Sequence, residues 1–253
     1  MRRICGALLG GFLGLITFFD SALGEDSATL ANAVVSARDR SADDRALDAG
    51  RKPVELLTFL GVQPGWQVGD LGAGRGYTTE LLQRAVGPSG RVYAQNSKPL
   101  LEKFLEKPWS ARLAKPAMEG VVRLDRDFND PFPSDLRSLD AVTLILFYHD
   151  TVWLGVDRGA MNKAVFNALK PGGVFLIVDH SARPGDGTRV ADTFHRIEED
   201  VVKKEVEAVG FVLDKEADFL RNSADTRDWN DSPSAAGERR GTSDRFVLLF
   251  RKP

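Results

Sequence analysis

Apolar and polar positions change period repeatedly along the chain. Trp66, Val68 and Leu71 mark a short strand; from Thr78 the spacing turns helical, with Leu81, Leu82 and Ala85 on one face. The alternation continues downstream. Further strands are predicted at 91–95, 121–127, 139–147, 174–178, 211–220 and 245–250, and helices at 99–106, 159–169 and 193–209. The run 139–147 is almost continuously apolar, which predicts burial on both faces, as in a parallel sheet. Upstream, 27–37 reads as an amphipathic helix and 38–45 as a charged segment. Residues 51–60 read as a helix with Pro53 in its first turn and Val54, Leu57 and Leu60 inward. Arg51 reads there as a solvated helix start.

Strands alternating with helices predict an open, doubly wound, mostly parallel α/β sheet. Ligands of such sheets sit beyond the carboxyl ends of the strands. Residues 72–76, Asn96, Asp127, Tyr148, His149, Asp150, Asp179 and His180 all follow strands, so one rim collects them. The polar stretch 221–244, with Trp229 amid serine, aspartate and arginine, leaves the sixth strand over that rim. It is either a packed lid or a solvated loop.

Composition narrows the class. The 253 residues are 43% hydrophobic and 28% charged, which fits a globular protein. A formal net charge of −2 argues against a general nucleic-acid surface, so no nucleic-acid partner is expected. The N-terminus differs from the rest. Arg2 and Arg3 precede an uncharged apolar run, 4–19, and Ala22-Leu23-Gly24 supplies small residues for cleavage. The run is short for a membrane span, which needs about 20 residues. A signal peptide over 1–24, a helical extension over 25–50 and one domain over 51–253 are therefore expected, with export to the periplasm or medium. Cleavage would remove Cys5, the sole cysteine, and with it any disulfide or cysteine ligand. His149, His180 and His195, with Asp150, Asp179 and Asp192 near them, lack tight ligand spacing, and no metal is expected.

The glycines 72, 74 and 76 between strand and helix carry the chemistry. They permit backbone angles that a Cβ forbids, and the helix start behind them favours an anion. The spacing Asp70-x-Gly72-x-Gly74-x-Gly76 is not the G-x-G-x-x-G of nicotinamide folds, because Gly76 falls one position early. With Gly90-Arg91-Val92-Tyr93-Ala94 and Leu169-Lys170-Pro171-Gly172-Gly173, it resembles the class I S-adenosylmethionine-dependent methyltransferases over most of 51–253.

The resemblance implies a Rossmann-like, seven-stranded sheet with an antiparallel last strand, and S-adenosyl-L-methionine as cofactor. It places Asp70, Gly72, Ala73, Gly74, Gly76 and Tyr77 at the methionine portion, and Asn96 at the ribose. Many relatives carry an acid at that ribose position; an amide can still bond a diol, without charge assistance. Asp127 and Phe128 fall in the adenine region, where a plain loop aspartate is the alternative. The residues after the fourth strand face the acceptor in this family. His149 is there the candidate base or a strand cap, Tyr148 an orienter of the acceptor, and Asp150 a partner of the histidine or a helix cap. A small-molecule acceptor is expected, with an exported binding or sensor module that lost turnover as the alternative.

Overall fold

The computed structural model describes residues 19–253, with side chains from Asp26 onward. Most of the expected signal peptide, up to Phe18, lies outside the described residues. Seven strands form one sheet: β1 (Gln67–Leu71), β2 (Arg91–Asn96), β3 (Val121–Asp125), β4 (Leu139–Ile145), β5 (Leu169–His180), β6 (Val212–Ala217) and β7 (Arg245–Arg251). Their spatial order is β3-β2-β1-β4-β5-β7-β6. β1 to β5 pair in parallel, and β7 runs antiparallel between β5 and β6. The carboxyl ends of the five parallel strands therefore share one edge, and β6 ends there too.

Side-chain alternation builds a core on each face of the sheet. Helices α1 (Phe19–Val35), α2 (Ala42–Arg51), α3 (Pro53–Leu60) and α4 (Tyr77–Val86) lie in the first half of the chain. Ala31, Val34, Leu57, Leu60, Leu81 and Leu82 bury there against Val68, Ala141, Leu176 and Val247. Residues one step along the same strands, Val142, Leu144, Phe175 and Leu248, face the other layer. Beyond β2, a helical turn α5 (Lys98–Leu100) passes through a π-helical stretch, 101–105, into α6 (Glu106–Leu113). Past β4 come α7 (Asp150–Trp153) and α8 (Arg158–Ala168), and between β5 and β6 lie α9 (Ala191–Phe194) and α10 (Glu199–Glu207). Met161 and Val165 of α8 and Val202 and Val206 of α10 fill the second layer. No described helix is long and apolar enough to cross a membrane.

Three elements depart from expectation. The charged segment 38–45 leads into a helix, α2, because Ser41 caps it by accepting from the Asp44 N–H and the aspartates find arginine partners. The helix expected over 99–106 is irregular and continues instead to Leu113. The single helix expected over 193–209 is broken: His195 turns left-handed at φ +53°, and Ile197 pairs with the end of β5. The Ile197 N–H donates to His180 O, and the Ala182 N–H donates to Ile197 O. Tertiary pairing overrides helix propensity here.

Candidate functional site

The glycine turn leaves β1 with Gly72, Gly74 and Gly76 at φ +65°, +59° and +81°. At Gly76 a Cβ would lie 2.5 Å from the Trp109 ring, whereas at Gly74 it would meet nothing nearer than 3.9 Å. The middle of the turn is therefore open. Two amides at the end of β2 fix it. Gln95 Oε1 accepts from the Gly72 N–H at 3.0 Å, and the Ala73 N–H donates to Gln95 O. Asn96 Oδ1 accepts from the Gly74 N–H at 2.8 Å while its Nδ2 donates back to Gly74 O at 3.1 Å. Asn96, expected at a ribose, is thus buried with both polar atoms committed to the loop. A carboxylate there would lack the donor half of that pair.

Asp70 lies beneath the turn, accepting from Thr79 Oγ1 at 2.5 Å and from Thr143 Oγ1 at 2.9 Å. Burial raises its carboxyl from 3.8 to about 6, against the two hydroxyls and the charge of Arg51. Arg51, read from sequence as solvated, closes α2 and lays its guanidinium over the Tyr77 ring, 4.5 Å from the centroid. Tyr77 donates in turn to Asp48 Oδ1 at 2.6 Å. Among the described residues Arg51 has no hydrogen bond or ion pair. Burial lowers its affinity for its proton. It lines a pocket with Tyr77, Thr78, Leu146 and Arg245, at the start of α4. Leu146, just past β4, is held at φ +58° by its N–H bond to Val178 O. Such strain at a strand end was not legible in the sequence.

A second, open cleft of about 370 Å³ lies past β2 and β3, lined by Lys98, Pro99, Asp125, Arg126, Asp127 and Asp130. Asp127 faces it with one oxygen accepting from the Asn129 N–H. Phe128, expected beside it, is instead buried and stacked on Phe147 at 5.0 Å. That pair backs the turn, since a Cβ on Gly72 would lie 3.2 Å from the Phe147 ring.

Past β4 the expected trio separates. Tyr148 points away from the rim into the second layer, donating to Glu205 Oε2 at 2.8 Å and accepting from Asn162 Nδ2. It is fully buried, so it cannot orient an acceptor. His149 and Asp150 stay on the rim. The Asp179 carboxylate, at the end of β5, accepts from the His149 backbone N–H and meets its Nδ1, both at 2.7 Å. Asp150 Oδ1 lies 3.0 Å from His149 Nε2 and 3.0 Å from His195 Nδ1, and accepts from Trp153 Nε1. Burial disfavours the charged ring of His149, but Asp179 and Asp150 outweigh it and hold it up to about 10. At neutral pH the ring is then protonated, with no lone pair for a substrate proton, contrary to the expected base. His180 is separate, buried against Ser243 and Asp231, and burial lowers its proton affinity. Asp192 is exposed and takes no part.

The stretch 221–244 packs as a strap. Arg196, wholly buried, pairs with Asp225 at 2.8 Å and lies under the Trp229 ring, 4.7 Å from its centroid. Trp229 Nε1 donates to Asp225 Oδ1 at 2.7 Å, and the Asp244 N–H donates to Asp225 Oδ2.

The chain matches solved structures over nearly its whole length. It aligns with an S-adenosylmethionine-dependent methyltransferase from Aquifex aeolicus at a TM-score of 0.58 and 17% identity, covering 88% of this chain and 98% of that one. The fold is that of the class I methyltransferases. A second methyltransferase of this fold, from Mesorhizobium loti, matches at a TM-score of 0.57 and 18% identity, over 81% of this chain and all of that one. In sequence, a protein-L-isoaspartate O-methyltransferase from Aeropyrum pernix is 41% identical over 69 residues, 27% of this chain. The match spans only 25% of that methyltransferase. No protein-family model matches.

Proposed function

We propose that the protein is an S-adenosylmethionine-dependent methyltransferase acting on a small molecule. The observation that carries the reading is the unpaired Arg51 guanidinium beside an open, prefixed glycine turn. An amino-acid carboxylate fits a buried cation next to a helix start, and a close-lying chain fits a turn with no side chain at Gly74. Arg51 and the start of α4 would hold the carboxylate, Gly72 to Gly76 the aminoacyl chain, and Lys98, Asp125 and Asp127 the nucleoside portion. When bound, S-adenosylmethionine supplies a methyl group on a positively charged sulfonium. The protein's part is to align the acceptor with it and exclude water. The packed strap over the rim favours a small acceptor over a nucleic acid, as does the slightly negative net charge.

Calorimetry with S-adenosylmethionine on the full chain tests the reading; no heat at millimolar ligand would refute it. One observation favours a second reading, a binding module without turnover: Asn96 is committed to the loop where relatives carry an acid. Mass spectrometry of extract components incubated with isotope-labelled cofactor separates the two, since only an enzyme transfers label. We also propose export through the signal peptide at 1–24. Recovery of intact Met1 from the periplasmic or secreted fraction would contradict it.

A further inference from the structure

His149, Asp150 and His195 come from two separate segments, and only the break at His195 brings the third imidazole to the first two groups. His149 Nε2, Asp150 Oδ1 and His195 Nδ1 form a triangle with sides of 3.0, 3.0 and 3.3 Å. Two ligands about 2.05 Å from one tetrahedral ion lie about 3.3 Å apart, so the triangle already has the dimensions of one face of a coordination shell. The hydrogen bonding within it does not close. Asp179 only accepts, so His149 Nδ1 carries a proton. If Asp150 is also to accept from both imidazoles, His149 Nε2 and His195 Nδ1 must each carry a proton and confront one another at 3.3 Å as two donors. A cation removes the conflict, because both nitrogens then turn lone pairs toward it.

We propose that His149, Asp150 and His195 bind one divalent transition-metal ion, zinc best matching the two imidazoles and one carboxylate. Asp179 is the positioning residue. By accepting from Nδ1 it fixes the tautomer that leaves Nε2 free for the metal, and the His149 and His180 backbone N–H groups hold it in place. His195 reaches the ion from a left-handed residue, a conformation that costs about 1 kcal/mol or more outside glycine and is kept here by the Ile197 pairing. Three protein ligands leave a position for water or an oxygen donor, on the side of the exposed Trp153.

The inference is independent of methyl transfer, because the readout is metal bound per chain. The untagged full chain is stripped with chelator, gel-filtered and titrated with zinc alone by calorimetry, and with cobalt(II) by visible absorption. One zinc per chain at micromolar affinity or better is expected, with the intense d–d bands of a low-symmetry cobalt site. His195→Gly removes a ligand at a backbone angle that glycine accepts without strain, and should weaken binding by about 100-fold with an unchanged apo melting curve. Asp179→Asn keeps all three ligands and should weaken it by about 10- to 100-fold. Zinc held only at millimolar concentration, or held equally well by a folded His195→Gly protein, overturns the proposal.

Discussion

Arg51 and Asp70 are a buried cation and a buried acid facing one site, and each is more costly to the free protein than to a liganded one. The unfolded chain releases the Asp70 proton near 3.8 and the folded chain near 6, so the free protein loses stability as pH rises through that window. The loss is about 3 kcal/mol in all. Asp70→Asn should therefore raise the melting temperature of the free protein at pH 7.5 and leave it nearly unchanged at pH 4; thermal scans at the two values check this. The same substitution should weaken S-adenosylmethionine binding. Arg51→Ala should lower that affinity by roughly 10- to 100-fold, the worth of about 1.5–3 kcal/mol for a charge-assisted bond, with melting little altered because no protein partner is lost. Calorimetry alongside a melt distinguishes this from misfolding.

At the level of elements, the strap depends on a single buried ion pair. Asp225→Ala would strand Arg196 without its carboxylate and remove the bonds to Trp229 and the Asp244 backbone. A destabilisation of about 3–5 kcal/mol is expected, read by denaturant unfolding, with faster proteolysis within 221–244. This part of the molecule was the least legible in the sequence. The seven strands and the glycine turn could be read because period-2 burial and positive-φ glycines are local signals. The helix break at His195 could not, since a strand end far along the chain imposes it. Phe128 and Tyr148 were assigned to the rim by position after a strand, but one residue of alternation sends each into the core. Arg51 was misjudged because α2, which carries it back over Tyr77, hides in a segment of high charge that pays its way through capping and ion pairs.

At the scale of the molecule, the N-terminal helices belong to the main core rather than to an appendage: Ala31 and Val34 are buried with Leu57 and Leu81. Cleavage after Gly24 would leave both in place, so a chain starting at residue 25 should melt like one starting at residue 1, and a chain starting at residue 36 should be less stable. The placing of β7 has a consequence for timing. It enters the sheet between β5 and β6, with five consecutive residues from Phe246 to Phe250 buried, yet it is the last strand in sequence. Until residue 251 has been synthesised, β5 and β6 have no common neighbour, and a fragment ending at 244 should show no cooperative melt. The nascent chain must wait for its final strand before it can close, and while it waits it remains threadable, the condition that a translocation channel for unfolded chains requires.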